Sequence, residues 1–76
     1  MVELKTLSDL IAGLDVVPDM SRFDSNKSFR DNGIDSLDVM TVFLAVEENY
    51  GIKISEDESL RINSPAQLLS TINARG

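Results

Sequence analysis

The side chain most able to carry chemistry in this 76-residue chain is the hydroxyl of Ser36. It stands in an acidic stretch where a turn-forming Asn-Gly pair leads into a long apolar run, Asp31-Asn32-Gly33-Ile34-Asp35-Ser36-Leu37-Asp38. Such a stretch predicts a loop that ends at a helix N-terminus, where an Asp or Ser side chain accepts a free backbone N–H. Capping would account for an isolated Asp-Ser-Leu, so a further role for Ser36 depends on what surrounds it.

The residue types that are missing limit what Ser36 could do by itself. The chain has no histidine, which removes the usual general base near neutral pH, and no cysteine, which removes thiolate chemistry and disulfides. No group of side chains has the spacing of a metal site. We therefore expect no catalytic residue and no metal site, and a base that activates Ser36 would have to come from another protein.

The acidic residues are concentrated around Ser36 and in the region that follows it. The formal net charge of the chain is −6, and residues 31–58 hold eight Asp and Glu residues against one base, Lys53. Such a surface attracts basic protein surfaces and repels nucleic acid and anionic membranes, although an acidic cluster more often serves solubility. No apolar run is long enough to span a membrane, and the N-terminus does not resemble a signal peptide. We expect a cytoplasmic protein that neither binds nucleic acid nor inserts into membranes.

The apolar run after Ser36 predicts a helix from about Ser36 to Tyr50 that Gly51 ends. One stripe at helical spacing is expected to face the core, and it comprises Val39, Val42, Phe43, Val46 and Tyr50. The other side mixes apolar and acidic residues, namely Leu37, Met40, Thr41, Leu44, Glu47 and Glu48. An apolar patch bordered by charge is typical of an interface, so we interpret this side as a partner-binding face. The alternative is that one or two of these residues pack under the preceding loop.

Three further helices are predicted from apolar spacing and capping signals. The first has an apolar stripe of Leu4, Leu7, Ile11 and Leu14. A capping box from Ser55 to Glu58 opens a short third helix, with Leu60 and Ile62 expected to point inward. A second capping box, Ser64-Pro65-Ala66-Gln67, opens the last helix. The apolar stripe of this helix comprises Leu68, Leu69 and Ile72, and the helix is expected to end at Arg75 and Gly76.

The segment from Asp15 to Asp35 lacks sustained periodicity and predicts a long loop, with a short helical turn near Pro18. Its apolar residues should hold it against the core, and they are Val17, Phe23, Phe29 and Ile34. The expected fold is all-α, a small four-helix bundle of three main helices and one short helix with a long first loop. Residues 1–76 are expected to form a single domain.

In this layout the chain resembles an acyl carrier protein. The resemblance rests on Asp35-Ser36-Leu37-Asp38 at the start of the second helix, Glu47-Glu48 near its end, the long first loop and the short acidic third helix. It implies a four-helix bundle that carries a 4′-phosphopantetheine arm, derived from coenzyme A, on Ser36. The arm would supply the thiol that the chain itself lacks. The implied partners are a phosphopantetheinyl transferase and acyl-loading and acyl-processing enzymes with basic surfaces, and we expect a monomer.

The resemblance also implies which residues partners recognise. These are Asp35, Leu37, Asp38, Met40, Thr41, Leu44, Glu47, Glu48, Glu56 and Asp57. Thr41 departs from the common pattern, because fatty-acid carriers usually have an acid at that position. The cargo therefore stays open between fatty acyl, polyketide and specialised lipid intermediates. An aminoacyl or peptidyl carrier of the same fold, or a helical interaction module without a prosthetic group, is the alternative.

Overall fold

The computed structural model describes residues 1–75 and contains four helices in that range without a strand. They are α1 (Leu4–Gly13), α2 (Ser36–Tyr50), α3 (Glu56–Arg61) and α4 (Pro65–Arg75), with a short 3-10 turn at Met20–Arg22 in the first loop. The all-helical fold and the turn near Pro18 are thus confirmed. Gly76, which was expected to close α4, lies outside the described residues.

The two terminal helices pack against each other. Leu7 and Ile11 of α1 and Leu68 and Ile72 of α4 are buried in one core, whereas Leu4, the first residue of α1, is exposed. The Asn73 side chain accepts a hydrogen bond from the Val2 N–H at 2.8 Å and donates one to the Val2 carbonyl at 3.1 Å. This pair of bonds fastens the start of the chain to the end of α4.

The helix α2 begins and ends where the sequence predicts. The Asp35 carboxylate accepts the Asp38 N–H at 2.9 Å, so Asp35 is the N-cap and Ser36 is the first helical residue. At the other end Gly51 adopts a left-handed conformation with φ of 65°, which a residue without Cβ accommodates easily. Val42, Phe43 and Val46 are buried, with Val39 and Tyr50 partly buried beside them, which confirms the predicted core stripe.

The long first loop is held by both its apolar and its polar residues. Val17, Phe29 and Ile34 are buried, and Phe23 packs against the core at its margin. The Phe29 ring meets the ring of Phe43 edge-on, with 5.9 Å between centroids and an interplanar angle of 83°. Aromatic pairs prefer this arrangement, and it joins the loop directly to α2.

The Asn-Gly pair, Asn32 and Gly33, fixes the conformation of the loop just before Ser36. The buried Asn32 side chain donates to the carbonyls of residues 24, 27 and 28 and accepts from the Asp24 N–H at 2.8 Å. Gly33 has a φ of 84°, and a Cβ there would lie 2.8 Å from Cδ of Pro18. A side chain at position 33 would be strained and would clash, so this turn before α2 requires glycine.

Two predictions about the second half of the chain are wrong in part. Leu60 does not point inward but is 75% exposed, while Ile62 is buried as predicted. The reason is that α3 ends at Arg61 and residue 62 is extended, so the two side chains do not share a helical face. The second capping box is also incomplete, because Gln67 accepts from the N–H of Asn63 rather than that of Ser64. The first box, between Ser55 and Glu58, has both of its bonds.

Candidate functional site

Ser36 is exposed on the first turn of α2. Its hydroxyl forms no hydrogen bond with any residue in the range 1–75, since the capping role belongs to Asp35. The idea that Ser36 serves as the cap is therefore wrong. An exposed hydroxyl on a rigid helical turn is accessible to an enzyme that would modify it. The first N–H groups of a helix lack partners within the helix and carry partial positive charge, so an anionic group is stabilised nearby.

An open groove of about 950 Å³ runs from Ser36 between α2, α3 and the end of the first loop. The side chains along its floor are apolar, and they are Phe29, Ile34, Val39, Phe43 and Ile62. Its rim is mixed, because the exposed apolar side chains of Met40 and Leu60 lie there with Ser28, Arg30, Ser59 and Asn63. The spacing of residues 36, 39 and 43 on α2 places the serine at one end of this apolar floor.

The outer face of α2, defined by Leu37, Met40, Thr41, Leu44 and Glu48, is exposed along its whole length. The three apolar side chains on it each leave more than half of their surface uncovered. The other four residues of this face follow Leu37 by three, four, seven and eleven positions, and this helical spacing keeps all five on one side of the helix. The structure therefore brings these predicted residues together beside Ser36, and none of them packs under the loop.

The predicted acidic residues do not all have free carboxylates. Glu47 is half-buried, and its carboxylate accepts the Ile54 N–H at 2.7 Å, which ties the end of α2 to the link that follows it. Asp35 is occupied as the cap of α2. Glu48, Glu56 and Asp57 are exposed, and Asp38 is half-exposed. Three of these acids, at positions 48, 56 and 57, are thus fully available to a basic partner.

None of the residues of α3 is buried, and contacts with other segments of the chain hold this helix in place. The Arg75 guanidinium pairs with the Glu58 carboxylate and also donates to the Lys53 carbonyl. The hydrogen bond from Arg75, with a further one from the backbone of Ser55, lowers the pKa of Glu58. The charged form of Glu58 therefore both caps α3 and connects it to the end of α4.

A comparison with known families matches residues 5–72 to a family described as a phosphopantetheine attachment site. An anthracycline acyl carrier protein of Streptomyces sp. (strain C5) is 35% identical over 99% of this chain and 88% of its own length. A second anthracycline acyl carrier protein, from Streptomyces peucetius, is 33% identical over the same shares. An acyl carrier protein of Campylobacter hominis is 36% identical over 83% of this chain and 78% of its own length.

This chain belongs to the acyl carrier protein family. Acyl carrier proteins transport substrates and have no catalytic activity of their own, and the cofactor of this one is a covalently attached 4′-phosphopantetheine. When bound, that group supplies a terminal thiol that holds acyl groups as thioesters. The exposed, unbonded hydroxyl of Ser36 fits such an attachment. The carrier also interacts with a phosphopantetheinyl transferase and with acyl-processing enzymes.

The structure also contains site residues that the sequence did not reveal. Asn32 fixes the loop before Ser36 through side-chain bonds to carbonyls as far back as residue 24, and a turn signal alone does not predict such bonds. Arg30 lies on the rim of the groove with Ser36, and the local sequence pattern does not predict that position. No helix among residues 1–75 is both long and apolar enough to cross a membrane.

Proposed function

We propose that Ser36 is the residue that carries the 4′-phosphopantetheine arm. The observation that carries this proposal is the exposed hydroxyl without a hydrogen-bond partner in the described chain, at the start of α2 and at the mouth of an apolar groove. Neighbouring hydroxyls on the rim are occupied. The Ser28 oxygen accepts the Asp31 N–H, and the Ser59 hydroxyl donates to the Glu56 carbonyl.

The role of Ser36 is that of a nucleophile activated by another protein. Its oxygen forms a bond to the phosphorus next to the pantetheine, the pyrophosphate bond of coenzyme A breaks, and adenosine bisphosphate leaves. The hydroxyl proton goes to a base of the transferase, because the chain contains no histidine or cysteine and the carboxylate of the preceding residue, Asp35, accepts a backbone N–H. Asp38 and the outer face of α2 are then available for transferase contacts or for its Mg²⁺.

The test is the intact mass of the protein after incubation with coenzyme A and a broad-specificity phosphopantetheinyl transferase. The proposal predicts a gain of one phosphopantetheinyl group per chain. A chain that stays at its starting mass while a second acyl carrier protein in the same reaction is converted would instead favour a helical interaction module.

We further propose that the outer face of α2 is the surface that partner enzymes recognise. Charge near a binding site mainly changes the encounter rate, whereas an apolar anchor mainly changes dissociation. Glu48 supplies exposed charge on this face, and Leu37, which is 78% exposed, supplies an apolar anchor next to Ser36. Glu56 and Asp57 on α3 extend the acidic surface.

Glu48→Lys should slow conversion by the transferase about three- to tenfold at low ionic strength, and the effect should fade as salt screens the charges. Leu37→Ala should weaken the complex to a similar extent at any salt concentration. The measurement is initial conversion rate against transferase concentration at two ionic strengths. Glu3→Lys is the matched control, because it makes the same charge change at an exposed residue of the α1 cap. If Glu3→Lys slows conversion as much as Glu48→Lys does, net charge rather than this face governs recognition.

For the cargo, we propose acyl intermediates of polyketide assembly. Two relatives that match 99% of this chain are carriers named for anthracyclines, and the chain has Thr41 exposed on the outer face of α2 where fatty-acid carriers usually have an acid. The apolar floor and the mixed polar and apolar rim of the groove suit a cargo that has both hydrocarbon and oxygen groups. The fatty acyl, specialised lipid and aminoacyl cargoes are the competing outcomes.

The cargo proposal predicts faster condensation with a polyketide ketosynthase than with a fatty-acid ketosynthase. Both enzymes are first acylated with the same acyl group and then given the converted carrier loaded with malonyl, which loses CO₂ and forms the new carbon–carbon bond to that acyl group. The ratio of the two condensation rates is compared with the ratio for a fatty-acid carrier. We expect the two carriers to show opposite preferences. The same preference in both carriers would contradict a polyketide role.

The monomeric state, the single domain and the cytoplasmic location stay predictions from the sequence.

A further inference from the structure

The arm that this carrier holds brings a negative phosphodiester to the surface around its attachment residue. If that residue is Ser36, as proposed above, the charged residues within two positions of it along the chain are Asp35, the cap of α2, and Asp38, and both are negative. Like charges repel each other, more strongly at low salt. A nearby cation would offset this repulsion.

Arg30 is the one cationic residue among those that line the groove with Ser36. Its backbone is fixed, because its carbonyl accepts the Gly33 N–H at 2.9 Å and the carbonyl of the preceding Phe29 accepts the Ile34 N–H at 3.0 Å. The Phe29 side chain is buried against Phe43, which anchors the turn. The turn therefore holds residue 30 on the rim of the groove to which Ser36 also contributes.

The guanidinium of Arg30 has no carboxylate partner in the described part of the chain. The ion pairs there are Lys5–Asp9 and Arg75–Glu58. Arg30 is thus exposed and unpaired, and it lines the same groove as the residue to which the phosphate group would be attached. The planar guanidinium matches the geometry of phosphate oxygens and can donate two parallel hydrogen bonds to them.

We propose that Arg30 binds the phosphodiester of the arm on Ser36 and thereby fixes the first part of the arm along the groove. The proposal rests on the assignment of the arm to Ser36. It goes beyond that assignment, since it describes a non-covalent contact between the arm and a second residue of this chain. It gives Arg30 a role that is absent in the unmodified protein and appears on conversion.

The direct test is the side-chain Nε–Hε signal of Arg30 in ¹H–¹⁵N spectra, recorded before and after conversion and assigned by its loss in Arg30→Gln. The signal should shift on conversion, whereas the signals of Arg22, Arg61 and Arg75 should stay in place. The Arg75 signal is a suitable reference because that side chain is already paired with Glu58. An Arg30 signal that does not move in fully converted protein would overturn the proposal.

A second readout is the change in Tm that conversion causes at low ionic strength. In Arg30→Gln this change should be more negative than in the wild type by about 1–5 °C, the size expected for one exposed ion pair in a small domain. The difference should shrink at high salt, and Arg30→Lys should restore part of it. Lys27→Gln is the control, since it removes an exposed charge from the same loop outside the groove lining.

The outcomes separate this inference from the proposed function. If intact mass shows no conversion of the wild type, the assignment of the arm to Ser36 fails and the role of Arg30 fails with it. If conversion is complete and the change in Tm is the same in Arg30→Gln, Lys27→Gln and the wild type, the role of Arg30 alone is wrong.

Discussion

Phe43→Ala should lower the free energy of unfolding by about 3–5 kcal/mol, the usual cost of truncating a buried aromatic side chain to alanine. Phe43 is 7% exposed on α2 and meets Phe29 of the first loop edge-on at 5.9 Å. The substitution therefore removes this aromatic contact between the loop and the helix, and it also removes side-chain volume from the core. Native proteins have only about 5–15 kcal/mol of stability, so this loss is a large fraction of the total.

The matched control for this variant is Met40→Ala, which lies on the same helix and lines the same groove but is 58% exposed. A change at so exposed a position should stay within about 0.5 kcal/mol. Urea unfolding followed by circular dichroism measures both variants. If Met40→Ala is the more destabilising of the two, α2 is rotated relative to its described orientation, and the outer face of α2 is assigned incorrectly.

Ser36→Ala should abolish conversion by the transferase while the fold is preserved. The hydroxyl makes no bond within residues 1–75, the cap is Asp35, and alanine is a good helix former, so stability should change by less than about 1 kcal/mol. The measurements are intact mass after extended incubation and a circular-dichroism melt. The loss of conversion would therefore not be explained by unfolding.

The matched control is Ser59→Ala, which removes another hydroxyl from the rim of the same groove. This variant loses the bond from its hydroxyl to the Glu56 carbonyl, which costs about 0.5–1.5 kcal/mol, but it should still be converted. Conversion of Ser36→Ala at the wild-type rate would show that a different residue carries the arm.

Local signals in the sequence predicted most of the fold. The bounds of α2 follow from the Asn-Gly turn, the capping acid at 35, the helical apolar spacing and the glycine at 51, each of which acts within a few residues. The same signals placed Ser36 at the start of the helix. The outer face of α2 was also predictable, because a helix in a small bundle buries only one side.

Features that depend on contacts between distant residues could not be predicted in this way. The bond that the Ile54 N–H donates to the Glu47 carboxylate and the pairing of Glu58 with Arg75 join segments whose relative placement only the folded chain defines. Leu60 was expected to point inward together with Ile62, whereas the helix ends at Arg61 and residue 62 is extended, so only Ile62 reaches the core. The choice between Asp35 and Ser36 as the cap likewise depends on the exact first helical residue, which is the least predictable part of a helix.

The most direct test of the central claim is to locate the prosthetic group in the converted protein by tryptic digestion and fragment mass spectrometry. Cleavage after Arg30 and Lys53 releases a peptide of residues 31–53 whose one serine is Ser36, while Ser28 and Ser59 fall in other peptides. Attachment of the arm to Ser36 predicts the full mass gain on this peptide, with fragment ions that assign it to Ser36. A gain on the peptide that contains Ser28 or on the one that contains Ser59 would contradict it.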